Sequence, residues 1–66
     1  MAKVTQDDAR NADFLRGVYP DRPFTAHDAR RALGLPSREV AIRYLRKLSA
    51  AGLLVECKRR RSVTFR

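Results

Sequence analysis

Apolar positions in the first third of the chain recur at helical spacing. Ala12, Phe14, Leu15, Val18 and Tyr19 fall on one stripe. Thr5 with Asp8 supplies a helix cap, and acidic residues in the first turn suit the helix dipole. The pattern predicts a first helix over residues 5–18, stopped by Pro20-Asp21 and Pro23. Phe24, alone between Pro23 and Thr25, reads as a strand of one or two residues pinned against a later hairpin.

Thr25 and Asp28 repeat the cap signal and open a second helix over 26–33. Its inward positions, Ala26, Ala29, Ala32 and Leu33, are mostly small, so another helix backbone can come close. Gly34 stops the helix, Leu35-Pro36 makes a tight connection, and Ser37 caps a third helix over 37–51. Ala41, Tyr44, Leu45 and Leu48 form the buried stripe of that helix. Its other side carries Glu39, Ile42, Arg43, Arg46 and Lys47, with Arg38 at the N-terminal edge.

After Gly52 the period changes to two. Leu53, Val55 and Cys57 alternate with Leu54, Glu56 and Lys58, and Val63 and Phe65 alternate with Ser62, Thr64 and Arg66. This predicts a two-stranded hairpin over 53–66 with one apolar face and Cys57 turned inward. "KRRR", Lys58 to Arg61, lies between the strands; with no Gly or Asn there, a loose turn is expected. The fold class read from these elements is α+β, mainly α, in one domain over 1–66.

Composition narrows what such a fold can do. A chain of 66 residues buries only about 60% of the surface it exposes unfolded, which leaves little room for a deep substrate pocket. One cysteine excludes an internal disulfide, and no second Cys is near enough for a zinc pair. No apolar run approaches the roughly 20 residues of a membrane span, and the opening residues lack a signal peptide's apolar core. A cytoplasmic protein, nucleoid-associated when bound, is the expectation.

Charge changes the picture most. The formal net charge is +8. Residues 1–37 hold six basic and five acidic side chains, whereas residues 38–66 hold nine basic and two acidic. An excess of +7 in the second half is the electrostatic footprint of a polyanion partner.

Helix, short strand, helix, tight turn, helix, hairpin: this order, with "FTAHDARRALGLPSREVAIRYLRKLSAAGLLVE" at residues 24–56, resembles the winged helix-turn-helix superfamily. The matching positions are Thr25, the Leu33-Gly34-Leu35 turn, and Ala41, Leu45, Leu48, Gly52 and Leu53. Departures are Ala29 where a larger apolar residue is usual, Arg30 where a small one is, and Ala41 where Val or Thr is common. A subset of that superfamily reads left-handed nucleic acid with an Asn and a Tyr on the third helix. Ala41 and Leu45 fall near those positions and argue against that activity.

The resemblance implies that the third helix enters the major groove of double-stranded DNA while the preceding helix crosses the backbone. Base readers are then Arg38, Glu39, Ile42 and Arg43, with Arg43 the leading residue for a bidentate contact to guanine. Glu39 either accepts a hydrogen bond from cytosine N4 or orients Arg43 one turn away. Ile42 either meets a thymine methyl or belongs to the edge of the core. Thr25, Arg30, Ser37, Arg46 and Lys47 are expected on the backbone, and Lys58, Arg59, Arg60 and Arg61 form a wing on the backbone or minor groove. His27 reads as a surface residue, and Tyr44 as a core-edge ring with its hydroxyl free for a phosphate.

The functional expectation is a sequence-specific DNA-binding protein. A small transcriptional regulator from a phage, plasmid or other mobile element fits, as does an excision or replication accessory factor. The competing class is a winged-helix module for protein interaction, for which Ile42 and Leu54 are the candidate anchors. Structured RNA would call for exposed stacking aromatics, which the chain does not offer. One His, one Cys and scattered carboxylates provide no nucleophile–base pair, so an enzyme is not expected. No cofactor, metal or small-molecule ligand is implied. The first helix is the spare surface for pairing, which suggests a monomer in solution or a dimer on DNA.

Overall fold

The computed structural model describes residues 5–66; residues 1–4, part of the opening stretch read as carrying no leader, lie outside it. The elements are α1 (Gln6–Val18), β1 (Phe24–Thr25), α2 (Ala26–Leu33), α3 (Arg38–Ala50), β2 (Glu56–Arg59) and β3 (Ser62–Phe65). The architecture is α+β and mainly helical. Its small antiparallel sheet runs β1-β3-β2.

Local chemistry sets each helix boundary. Thr5 and Asp8 form a capping box at α1: the Thr5 N–H donates to Asp8 Oδ2 at 3.0 Å, and the Asp8 N–H donates to Thr5 Oγ1 at 3.2 Å. Thr25 and Asp28 repeat it at α2, at 3.1 Å in each direction. Ser37 Oγ accepts the Val40 N–H at 3.2 Å and opens α3. Gly34 ends α2 at φ 66°, a left-handed conformation that costs a side-chain-bearing residue roughly 1–2 kcal/mol. At the far end of α3 the Leu53 N–H reaches back to the Leu48 carbonyl at 2.9 Å and the Gly52 N–H to Ser49 at 3.0 Å, a double closure of the helix end.

The sheet joins chain segments far apart in sequence. Phe24 pairs with Phe65 and Thr25 with Thr64, so the two-residue β1 is stitched to the last strand. β2 pairs with β3 from Glu56↔Phe65 to Arg59↔Ser62. The ladder continues one step further, where Val55 and Arg66 exchange backbone bonds of 2.7 and 3.0 Å. Tyr19, Phe24 and Phe65 line up as neighbouring rings, with centroids 5.6 and 6.5 Å apart. Arg22 covers the Tyr19 ring at 4.8 Å and also reaches Asp28 at 3.5 Å.

The core is Ala12 and Leu15 of α1, Phe24, Ala26 and Ala29 of the β1–α2 unit, Ala41, Leu45 and Leu48 of α3, and Leu54 and Phe65. Several expectations need correction. Phe14 and Val18 are 50% and 43% exposed rather than buried, because the core-facing stripe of α1 passes through Asp8, Ala12 and Leu15 instead. The hairpin phase is also inverted at its start: Leu54 is buried and Val55 is half exposed. Alternation alone cannot say which of two apolar neighbours points inward.

Cys57 stands opposite Thr64, and directly paired side chains share a face. It therefore lies on the sheet face opposite Phe65 and is only half-buried. The turn is not loose. Lys58 and Arg59 belong to β2, and Arg60-Arg61 alone connect the strands, with Arg60 at φ 35°.

A polar network ties α1 to α3. The Tyr44 hydroxyl donates to Asp8 Oδ1 at 2.7 Å, the Asn11 amide donates to the same hydroxyl at 2.8 Å, and Lys47 Nζ lies 3.2 Å from Asp8 Oδ2. The Thr5 N–H, the Tyr44 hydroxyl and Lys47 together hold the Asp8 carboxyl at about 2, against an ordinary 3.8; burial acts the other way and is outweighed. Burial and then the Asp8 charge raise the Tyr44 hydroxyl above its ordinary value.

Because Asp8 is depressed in the folded state, its contribution to stability is complete above the unfolded value, about 4, and drains away as pH falls towards 2. Urea unfolding between pH 5 and 2 should show that loss in the parent, and Asp8→Asn should flatten this part of the acid slope. An unchanged slope in the variant would show that Asp8 does not couple α1 to α3.

Candidate nucleic-acid interface

The capping chemistry that starts α2 and α3 also aims their first turns. Thr25 caps α2 from within the sheet, and Ser37 caps α3 four residues after Leu33. These two helix starts and the hairpin tip surround one groove. α2 contributes Ala26 and His27 next to Thr25, α3 contributes Arg38, Glu39, Ile42 and Arg46, and the hairpin contributes Arg61, Ser62 and Val63. A helix start offers unpaired N–H donors and a positive dipole end, so the groove favours anions even before side chains are considered.

Of the expected base readers, Arg38, Glu39 and Ile42 line the groove, and Arg43 stands on the exposed face of α3 one turn beyond Glu39. Ile42 is half-buried against the core, so it presents an edge to the groove rather than a free side chain. Glu39 does not orient Arg43: no ion pair joins them within 4 Å. Of the expected backbone set, Thr25 and Arg46 line the groove. Ser37 is occupied as the α3 cap, and Arg30 is half-buried on α2 outside the groove.

Lys47 needs correction. It turns back to α1 and pairs with Asp8, because it lies three residues beyond Tyr44 and shares that residue's partner. The Tyr44 hydroxyl is likewise held inside the protein, between Asn11 and Asp8, and is not free for a phosphate. Of Lys58 to Arg61, only Arg61 lines the groove. His27, read from sequence as plain surface, lies in the groove, as do Ser62 and Val63. Its position two residues past Thr25 was the available signal.

Which cations remain free follows from the ion pairs. Among the described residues the pairs within 4 Å are Arg22–Asp28, Arg46–Glu56, Lys47–Asp8 and Lys58–Glu56. Arg38 and Arg43 on α3 and Arg59, Arg60 and Arg61 at the hairpin tip have no carboxylate partner. Asp28 is bound by the Thr25 N–H, with smaller help from Arg22 and His27, and its carboxyl is lowered accordingly. Asp8 and Asp28 are thus engaged locally, while Arg38, Arg43, Arg59, Arg60 and Arg61 keep no carboxylate partner.

Of the two expected protein anchors, Leu54 is buried and Ile42 is half-buried at the groove. No group of three metal-capable side chains occurs among the described residues, and none of their helices is long and apolar enough to cross a membrane. No protein-family model, curated protein or solved structure matches the chain.

The strained tip gives a direct check on the hairpin geometry. Arg60→Gly should relieve about 1–2 kcal/mol of left-handed strain and forfeit about 0.5–1 kcal/mol to the freer unfolded chain. A net gain of about 0.5–1 kcal/mol in urea unfolding is expected. A loss would show that the turn does not hold Arg60 at positive φ.

Proposed function

We propose that this chain is a sequence-specific double-stranded DNA-binding protein with a winged helix-turn-helix architecture. In this reading α2, the Gly34 turn and α3 are the helix-turn-helix, and the β2–β3 hairpin is the wing. The observation that carries it is the set of five unpartnered arginines, Arg38 and Arg43 on α3 and Arg59, Arg60 and Arg61 at the hairpin tip. Arg38 and Arg61 line a single groove walled by the start of α2, α3 and the hairpin; Arg43 stands further along α3, and Arg59 and Arg60 precede Arg61 at the tip. A width suited to an α-helix is a property of the B-form major groove, and a narrow minor groove attracts arginine.

The division of labour follows from position. Arg38, Glu39 and Arg43 stand at the N-terminal half of α3, from which helix-turn-helix proteins read base edges. In this reading Arg46 and the tip arginines take phosphates and the minor groove. A small transcriptional regulator fits this reading, and an excision or replication accessory factor uses the same architecture. A protein partner is the second reading, favoured by Phe14 and Val18, two exposed apolar side chains one turn apart on α1. The same face is open to a second copy bound to DNA.

Selection from a random duplex library tests the proposal. The expected winner binds at least ~10³-fold tighter than a scrambled duplex, and a palindromic winner would add dimeric binding. Arg43→Ala should cost about 1–3 kcal/mol at the winner and relax one base pair. Alanine at Arg59, Arg60 and Arg61 together should weaken all duplexes evenly and flatten the salt dependence. Equal, weak binding to every duplex would overturn sequence-specific recognition.

A further inference from the structure

Glu56 is an acid in the wrong place for a surface that binds polyanions. The second half of the chain has two acids, and one of them, on β2 of the hairpin, faces Arg46 of α3. We propose that Glu56 is a built-in stand-in for a DNA phosphate: it occupies Arg46 and Lys58 in the free protein and so restrains binding to DNA of the wrong sequence. This inference rests on the DNA-binding reading above.

The geometry is that of one anion serving two cations. Glu56 Oε1 lies 4.0 Å from Arg46 Nε, and Oε2 lies 3.6 Å from Lys58 Nζ. Register sets the position. Glu56 pairs with the fully buried Phe65 and so leaves the sheet on the core face, while Lys58, two residues on, leaves on that face too. The Glu56 side chain is 22% exposed, whereas Arg46 and Lys58 are 58% and 72% exposed. The acid is the enclosed partner, and both cations are open to solvent.

Ion pairs with such exposed cations contribute little to folding, so they are cheap to exchange. A phosphate presents the same pair of oxygens and takes over both cations. Non-specific binding consists almost wholly of phosphate neutralisation, so an opposing carboxylate subtracts from it directly. Cognate binding adds base contacts from Arg38 and Arg43, which Glu56 does not touch. It also gains from an Arg46 already held at the groove wall. Glu56 is therefore a specificity-determining residue, acting through Arg46 and Lys58.

The test compares the parent, Glu56→Gln and Glu56→Asp on a random duplex and on the selected duplex across a salt series. Losing one opposing charge should steepen the log–log salt slope by about 0.9, equivalent to ~8-fold tighter random-duplex binding at about 0.1 M salt. The selected duplex should tighten less, so the specificity ratio falls. Glu56→Asp keeps the charge and should keep the parent slope. In an Arg46→Ala, Lys58→Ala background, Glu56→Gln should lose most of its effect.

A second readout needs no variant. The Glu56 carboxyl carbon signal of the parent should shift when random duplex is added and its cations leave. A parent that binds DNA while its Glu56 signal stays still, or whose Glu56→Gln variant keeps the parent slope, overturns this proposal alone. A parent that binds no duplex removes the DNA-binding reading together with it.

Discussion

The pairing of Phe24 with Phe65 is the constraint on which the rest of the molecule depends. One is the whole apolar content of a two-residue strand, and the other closes the last strand. Both rings are fully buried and stacked, so the hairpin is fastened to the start of α2 through an aromatic seam. The next residue along β1, Thr25, caps α2. The seam therefore fixes three things together: the end of the hairpin, the start of α2 and, through the hairpin's length, the position of its tip beside α3. Beside it, the Arg46–Glu56 pair is a direct link from α3 to the hairpin.

The distribution of acids completes what the seam begins. Asp8 and Asp28 are both committed to capping boxes, and each also holds a cation, Lys47 or Arg22. These carboxylates hold helix starts in place and are unavailable to the arginines of α3 and the hairpin. The net charge of +8 is thus a sum of neutralised and free regions. Polyanion attraction depends on the free region, since a paired cation must first give up its partner. Asp8 has a further part, because it joins α1 to α3 through Tyr44 and Lys47 and so fixes the orientation of the exposed α3 face.

What was legible in the sequence was local. The two Thr-x-x-Asp boxes, Ser37, Gly34 and Gly52 set helix boundaries through contacts three to five residues apart, and such contacts can be read from neighbours alone. The Phe24 strand was also readable, from an isolated aromatic beside prolines. The hairpin phase was not, because Leu53, Leu54 and Val55 are all apolar and alternation has no origin there. The fates of Tyr44 and Lys47 were hidden for a different reason. Their partners lie on α1, more than 30 residues away, and a helical wheel shows only Tyr44 at the edge of the core stripe and Lys47 on the other side. In the candidate site, the groove-lining face of α3 was visible in outline. The tight Arg60-Arg61 turn was not, since an arginine at positive φ has no sequence signature.

That arginine links strain to purpose. A two-residue hairpin turn favours Gly or Asn at positive φ, and this chain holds Arg60 there instead. The small core sharpens the point: Ala26, Ala29 and Ala41 let the helices approach but bury little apolar area each, so the stability margin of a 66-residue chain is thin. A strained residue at an exposed tip adds a cost that a use for its charge would offset. Backbone strain of this kind concentrates at functional sites. Arg60 also sits between two further arginines, where mutual repulsion adds to the strain unless an anion is present. The tip therefore gathers like charges on a strained turn, an arrangement that a bound anion would relieve.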